Sequence, residues 1–273
     1  MKSLVNALRG VRNHVAPLVT PNGRVRSSAM TFVVFFWLVT FVFLWSHSPW
    51  RAIPRPLETL RAIGPLWQHE GLAFEIFTSL KLNLQAIAIG TVGTLLIAYL
   101  GCIPLFRPLF MALGYARFLG MVGLPFLFTV ILGGGFKLKL SLQVMAYSFF
   151  FAKSVLAVID SIPAERYDDA RTIRLGPVGT LWRVVIRGTR DQMIGALRDN
   201  AAISWMMLPM IEGISRSAGG VGAMLLAENK HFRLEAVFAI QLIILAIGFA
   251  SDAFIGWVHR MACPYAFLKL ERR

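Results

Sequence analysis

Long charge-free runs alternate with short polar connections along this chain. A helix that crosses a bilayer needs about 20 mostly apolar residues. Residues 29–45, rich in Phe, Val and Trp, form the first such run, and 86–105 form the second, entered through Lys81, Asn83 and Gln85. The runs 118–136 and 140–159 follow, separated by Gly133, Gly134 and Gly135, which would also permit a re-entrant turn. The run 193–214 carries Arg198, Asp199 and Glu212 near its ends, and 236–258 holds Asp252. The pattern predicts an all-α, polytopic membrane protein with about six transmembrane helices.

Charge gives the spans a direction. Loops on the cytoplasmic side carry an excess of Lys and Arg. With the N-terminus inside and six crossings, 19 basic residues fall inside and 9 outside. Both ends are then cytoplasmic. The expected organisation is an inner tail at 1–28, a first span with its outer connection at 29–77, a core at 78–260 holding an inner loop at 160–192, and an inner tail at 261–273. Only 15% of residues are charged and 56% are hydrophobic. A soluble domain carries about 25% charged residues. The net charge of +14 is explained mainly by topology, so nucleic acid is not an expected partner. The lipid bilayer is.

The chemistry of an enzyme is not legible. His14, His47, His69, His231 and His259 show no H-E-x-x-H spacing, and neither a phosphate-binding loop nor a G-x-S-x-G elbow occurs. Cys102 and Cys263 suggest no disulfide framework and no metal site. No catalytic residue, bound cofactor or metal is expected. Lys153 is an intramembrane charge, which reads either as a functional group or as a side chain snorkelling to the headgroups. Asp252 reads either as a structural group paired with a basic loop residue or with Arg260, or as a residue with a transport role.

The inner loop is the informative segment. It reads as a helix at 164–173, a break at Gly176-Pro177, and a second helix at 179–186. It is either a solvated connector or a docking element for a soluble partner. Ile162-Pro163-Ala164-Glu165, Asp168-Asp169-Ala170-Arg171-Thr172, Leu175-Gly176 and Trp182-Arg183-Val184-Val185-Ile186 resemble the cytoplasmic E-A-A loop of ABC importer permeases. That pattern has Gly four residues after its second Ala and closes in I-x-L-P. Here Arg174 stands at the Gly place and Arg187 at the Pro place, with Gly176 two residues later.

Two later stretches extend the resemblance to residues 78–265. Glu212 followed by Ser217-Ala218-Gly219-Gly220-Val221-Gly222 is similar to a segment of the nitrate/sulfonate/taurine-type permeases. Phe232 to Phe238, Ile247-Gly248, Asp252, Arg260 and Pro264-Tyr265 resemble the end of the same subfamily. The resemblance implies a type I ABC importer permease in a bacterial inner membrane. It implies a second permease subunit, identical or paralogous, and cytoplasmic ATPase subunits that bind ATP and Mg. It also implies an extracytoplasmic binding protein that delivers a small polar solute, first of all an anion such as nitrate, a sulfonate or taurine. Glu165, Asp168, Asp169, Ala170, Arg171, Leu175 and Gly176 would form the ATPase-coupling loop. Asp168 would either bond the ATPase or cap its own helix.

Pathway or gate candidates are Ser204, Trp205, Met207, Glu212, Gly219, Gly220 and Gly222. Met and aromatic residues at helical spacing also serve plain packing, and the glycines also suit a tight loop. An ion-coupled secondary transporter is an alternative. It would carry discontinuous helices in matched halves. A membrane-embedded enzyme or scaffold is a further alternative and would show an intramembrane charged cluster.

Overall fold

The computed structural model describes residues 27–50, 53–119, 123–214 and 218–264. The tails at 1–26 and 265–273, and Arg51, Arg216 and Ser217, lie outside the described residues. Among the described residues every regular element is helical. By contact clustering, the chain divides between Glu58 and Thr59.

The first unit holds α1 (Ser27–Ser46). Its residues are apolar on all sides, and Phe32, Phe35, Trp37 and Phe41 are all exposed. A helix apolar all round is stable only inside a large core or in lipid. At its end the Trp45 indole donates to the Pro54 carbonyl at 2.9 Å.

The division falls within the first turn of α2 (Pro56–His69), and the second unit continues through α3 (Leu72–Leu100), α4 (Arg107–Tyr115), a 3₁₀ turn (Ala116–Phe118), α5 (Leu124–Leu132) and α6 (Phe136–Asp160). Then come α7 (Ala164–Thr172), α8 (Pro177–Thr180), a π-helical segment (Leu181–Arg187), α9 (Arg190–Ile214), α10 (Val221–Lys230) and α11 (Leu234–Ala262). The central layer is α3, α6 and α9. Small residues let helices approach closely in lipid. Gly90 on α3 lies so near Tyr147 on α6 that a Cβ there would sit 2.6 Å from its ring, and the Tyr147 hydroxyl is 2.9 Å from Thr91 Oγ1. A second core joins Leu66 and Leu72 to Val221, Ala236, Ala239 and Ile240.

Among the described residues, four helices have the length and apolar composition of a membrane span: α1, α3, α6 and α11. The fifth expected span is α9, long enough at 25 residues but more polar. In the third expected span, 118–136, the α-helix among the described residues before Gly133 is the nine-residue α5, which reaches about 13 Å at 1.5 Å per residue, shorter than a full span. Pro125 lies in its first turn, and Gly133 at φ +74° ends it. Gly135, at φ +84°, then starts α6. The second span begins earlier than its apolar run suggests. Lys81, Asn83 and Gln85 lie within α3 rather than before it.

Candidate functional site

Two built features stand at opposite ends of α9, which is about 37 Å long. Helix α7 leads toward one end and α10 leaves the other.

The first feature is the loop of α7, α8 and the π-helical segment. Pro163 precedes α7 with extended backbone, and Glu165 lies in the first turn, where a carboxylate favours the helix dipole. Asp168 accepts from Arg171 at 3.0 Å on the exposed face. Asp169 is exposed, whereas Ala170 is buried. The end of α7 is a Schellman turn: Leu175 N–H donates to Ala170 O at 3.0 Å and Arg174 N–H donates to Arg171 O at 2.9 Å. Arg174 takes the left-handed conformation, φ +53°. This is the position at which the resembled pattern has Gly. The turn therefore keeps its register with Arg in the glycine place. Gly176, at φ −67° and ψ 168°, is extended and begins α8.

Arg166 donates to Gly188 O at 3.2 Å, tying α7 to the end of the π-helical segment. Arg187 lies in the last turn of that segment, so the chain continues helically where the pattern has Pro. A cavity of 410 Å³ lies behind the loop, lined among others by Arg107, Asp160, Tyr167, Arg171 and Leu175. Burial pushes the Tyr167 phenol above its ordinary value.

The second feature surrounds the start of α10. Glu212 is fully buried at the end of α9. It accepts from Ser79 Oγ at 2.6 Å and from Gly222 N–H at 2.8 Å. Glu75 accepts from Gly220 N–H, and Val221 N–H donates to Ser79 Oγ at 2.8 Å. The buried Lys139 donates to the Gly219 carbonyl, with Glu212 and Glu75 as its charged neighbours. Two carboxylates thus satisfy N–H groups at a helix N-terminus, where unpaired donors and the dipole favour negative charge. Glu212, Gly219, Gly220 and Gly222 come together as one unit. A Cβ on Gly222 would lie 2.4 Å from Pro209 O, and Gly220 has φ +106°.

Between these ends lies a buried polar knot. Gln143 Nε2 donates to Ser204 Oγ and Ser204 O, both at 2.8 Å, and contacts Asn83 Oδ1 at 3.2 Å. Ser204 Oγ donates to Asn83 Oδ1 at 2.6 Å. Trp205 instead packs with Leu82 and Leu208, and Met207 packs against Leu138, Leu142, Ala146 and Ile211.

Sequence reasoning missed Glu75, Ser79, Lys139, Asn83 and Gln143. Lys139 reads as an outer-loop residue beside Lys137, but it lies in the first turn of α6 and points inward. Asp252 pairs with neither expected partner. It binds Arg198, and Arg260 Nε instead donates to Gly256 O at 3.3 Å. Lys153 is half-buried on α6, where its Cα would lie 3.8 Å from a Cβ at Gly114 of α4.

No family model matches the chain, and no curated protein sequence matches it. A solved chain does, from the crystal structure of an amino acid ABC transporter with histidines. The TM-score is 0.58 at 16% identity, over 74% of this chain and 95% of that one. This chain is an all-α polytopic membrane protein that shares the fold of that transporter chain.

Proposed function

We propose that the chain is the membrane-spanning permease subunit of an ATP-driven ABC importer, and that the α7–α8 loop docks on a separate cytoplasmic ATPase. The observation that carries this reading is the Schellman turn at Arg174. It keeps the E-A-A register of Asp168-Asp169-Ala170 through a non-glycine residue, on a chain whose fold matches one chain of an ABC transporter structure over 95% of that chain's length. Glu165, Asp168, Asp169 and Arg171 present charges to the partner. Ala170, Leu175 and Gly176 set the shape of the turn.

In this reading the loop faces the cytoplasm of a bacterial inner membrane, and the Gly219–Gly222 turn faces the other side, where a binding protein delivers solute. A second permease subunit completes the pathway. ATP and Mg belong to the ATPase. Coupling needs a stiff element with two states that both ends bias, and α9 connects the loop to the Glu212 turn. The substrate is a small polar solute. The subfamily resemblance favours a nitrate, sulfonate or taurine-like anion, and the solved neighbour is an amino acid transporter, so an aminosulfonate satisfies both chemistries.

The test is co-purification of the full chain with the ATPase encoded beside it, with uptake measured in the same cells. Replacing Asp168 and Asp169 by Lys should abolish the complex and uptake while leaving the permease in the membrane. A charge-reversed loop that still captures the ATPase and supports uptake would refute the assignment.

A further inference from the structure

Helix α9 starts where the inner loop ends, and the last turn of α11 lies against this start. Asp191 in the first turn of α9 faces His259 in the last turn of α11 and Cys263, the residue that caps that helix. One ligand atom from each of the three residues lies within 4.8 Å of the others. His259 Nε2 is 2.7 Å from Asp191 Oδ1. Cys263 is fully buried, and the His259 side chain is 12% exposed.

We propose that Asp191, His259 and Cys263 form a binding site for a zinc-type divalent cation at the junction of the inner loop and the membrane helices. Cys263 follows His259 by four positions, and the cap at the end of α11 brings its thiol to the same cluster. They sit at the helix C-terminus, the end that attracts cations. Imidazole, thiolate and carboxylate are all zinc donors, and three protein ligands leave a fourth tetrahedral position for water. Donor atoms around tetrahedral zinc stand about 3.3 Å apart, so the His259 and Asp191 atoms need separate by only about half an ångström. The buried thiol gives up its proton as it binds: Cys263–SH and M²⁺ become Cys263–S⁻–M²⁺ and H⁺. The bound ion clamps the exit of the loop to the end of α11.

This site is independent of the transport reading. It follows from a contact between two helix ends, whatever solute the chain moves.

The experiment uses the full chain in detergent, metal-stripped, without a polyhistidine tag and carrying Cys102→Ser. The protein has 2 cysteines, so Cys263 is then the sole thiol. Addition of Co²⁺ should produce a thiolate-to-cobalt charge-transfer band with tetrahedral d–d absorption, and Zn²⁺ should displace both. Zn²⁺ should also raise the unfolding temperature. His259→Ala should weaken Zn²⁺ binding by at least about tenfold, since even outer-shell losses cost that much. Absence of a thiolate band in the folded Cys102→Ser protein would overturn the proposal without any change at the site. A band of equal affinity in His259→Ala would remove His259 from the ligand set and overturn the three-ligand site.

Discussion

Arg198 on α9 and Asp252 on α11 form a two-point ion pair: Nε donates to Oδ1 at 2.6 Å, and a second guanidinium nitrogen donates to Oδ2. Arg presents a rigid fork that matches a carboxylate, and Lys does not. Asp252 lies on α11, which has the length and apolar composition of a membrane span, where an unpaired charge is costly. Asp252→Asn should therefore lower the yield and the unfolding temperature of the purified chain, and Arg198→Lys should do so less. The charge swap Arg198→Asp with Asp252→Arg should recover part of the loss. Thermal unfolding in detergent measures this, and equal stability of all four proteins would show that the pair contributes nothing. The guanidinium carbon lies 3.1 Å from a Cβ placed on Gly256, so Gly256→Leu should displace it and mimic the loss.

Gly222 has no room for a side chain beside the Pro209 carbonyl. Overpacking of this kind costs about 1–3 kcal/mol. Gly222→Ala should lower the unfolding temperature and loosen the start of α10. Faster amide exchange at Val221 and Gly222 is the local readout.

The Gln143 knot ties α3, α6 and α9 through buried polar atoms. Removing one partner strands the others, at about 1–3 kcal/mol. Gln143→Leu alone should destabilise the protein more than Gln143→Leu combined with Asn83→Leu and Ser204→Ala. A triple variant less stable than the single one would mean that the knot contributes net stability.

Arg174 holds a left-handed conformation, φ +53°. That costs an ordinary residue about 1–2 kcal/mol relative to glycine's freedom. Arg174→Gly should stabilise α7 by about 1 kcal/mol and leave ATPase capture intact. Loss of capture with a stable fold would instead show that the Arg174 side chain itself contacts the partner.

The membrane character, the helical class and the helix-break-helix of the loop after Asp160 were legible in the linear sequence. Hydrocarbon selects for charge-free runs, and such runs are visible one residue after another. Asp168-Asp169-Ala170 was legible as a helical segment, but with Arg174 in the glycine place the shape of its turn was not; the structure closes it with bonds between Ala170 and Leu175 and between Arg171 and Arg174. Between a full span at 118–136 and a re-entrant turn at 133–135, hydropathy does not choose, because it does not register where Pro125 and Gly133 start and stop a helix. Only the tertiary structure decided the partners of charged and polar groups. Arg198 and Asp252 are 54 positions apart, Lys139 and Gly219 are 80 apart, and Asp191 and His259 are 68 apart. In lipid, a buried charge is tolerated only beside a group that satisfies it. Which group that is depends on how helices pack, and packing joins residues that have no relation along the chain.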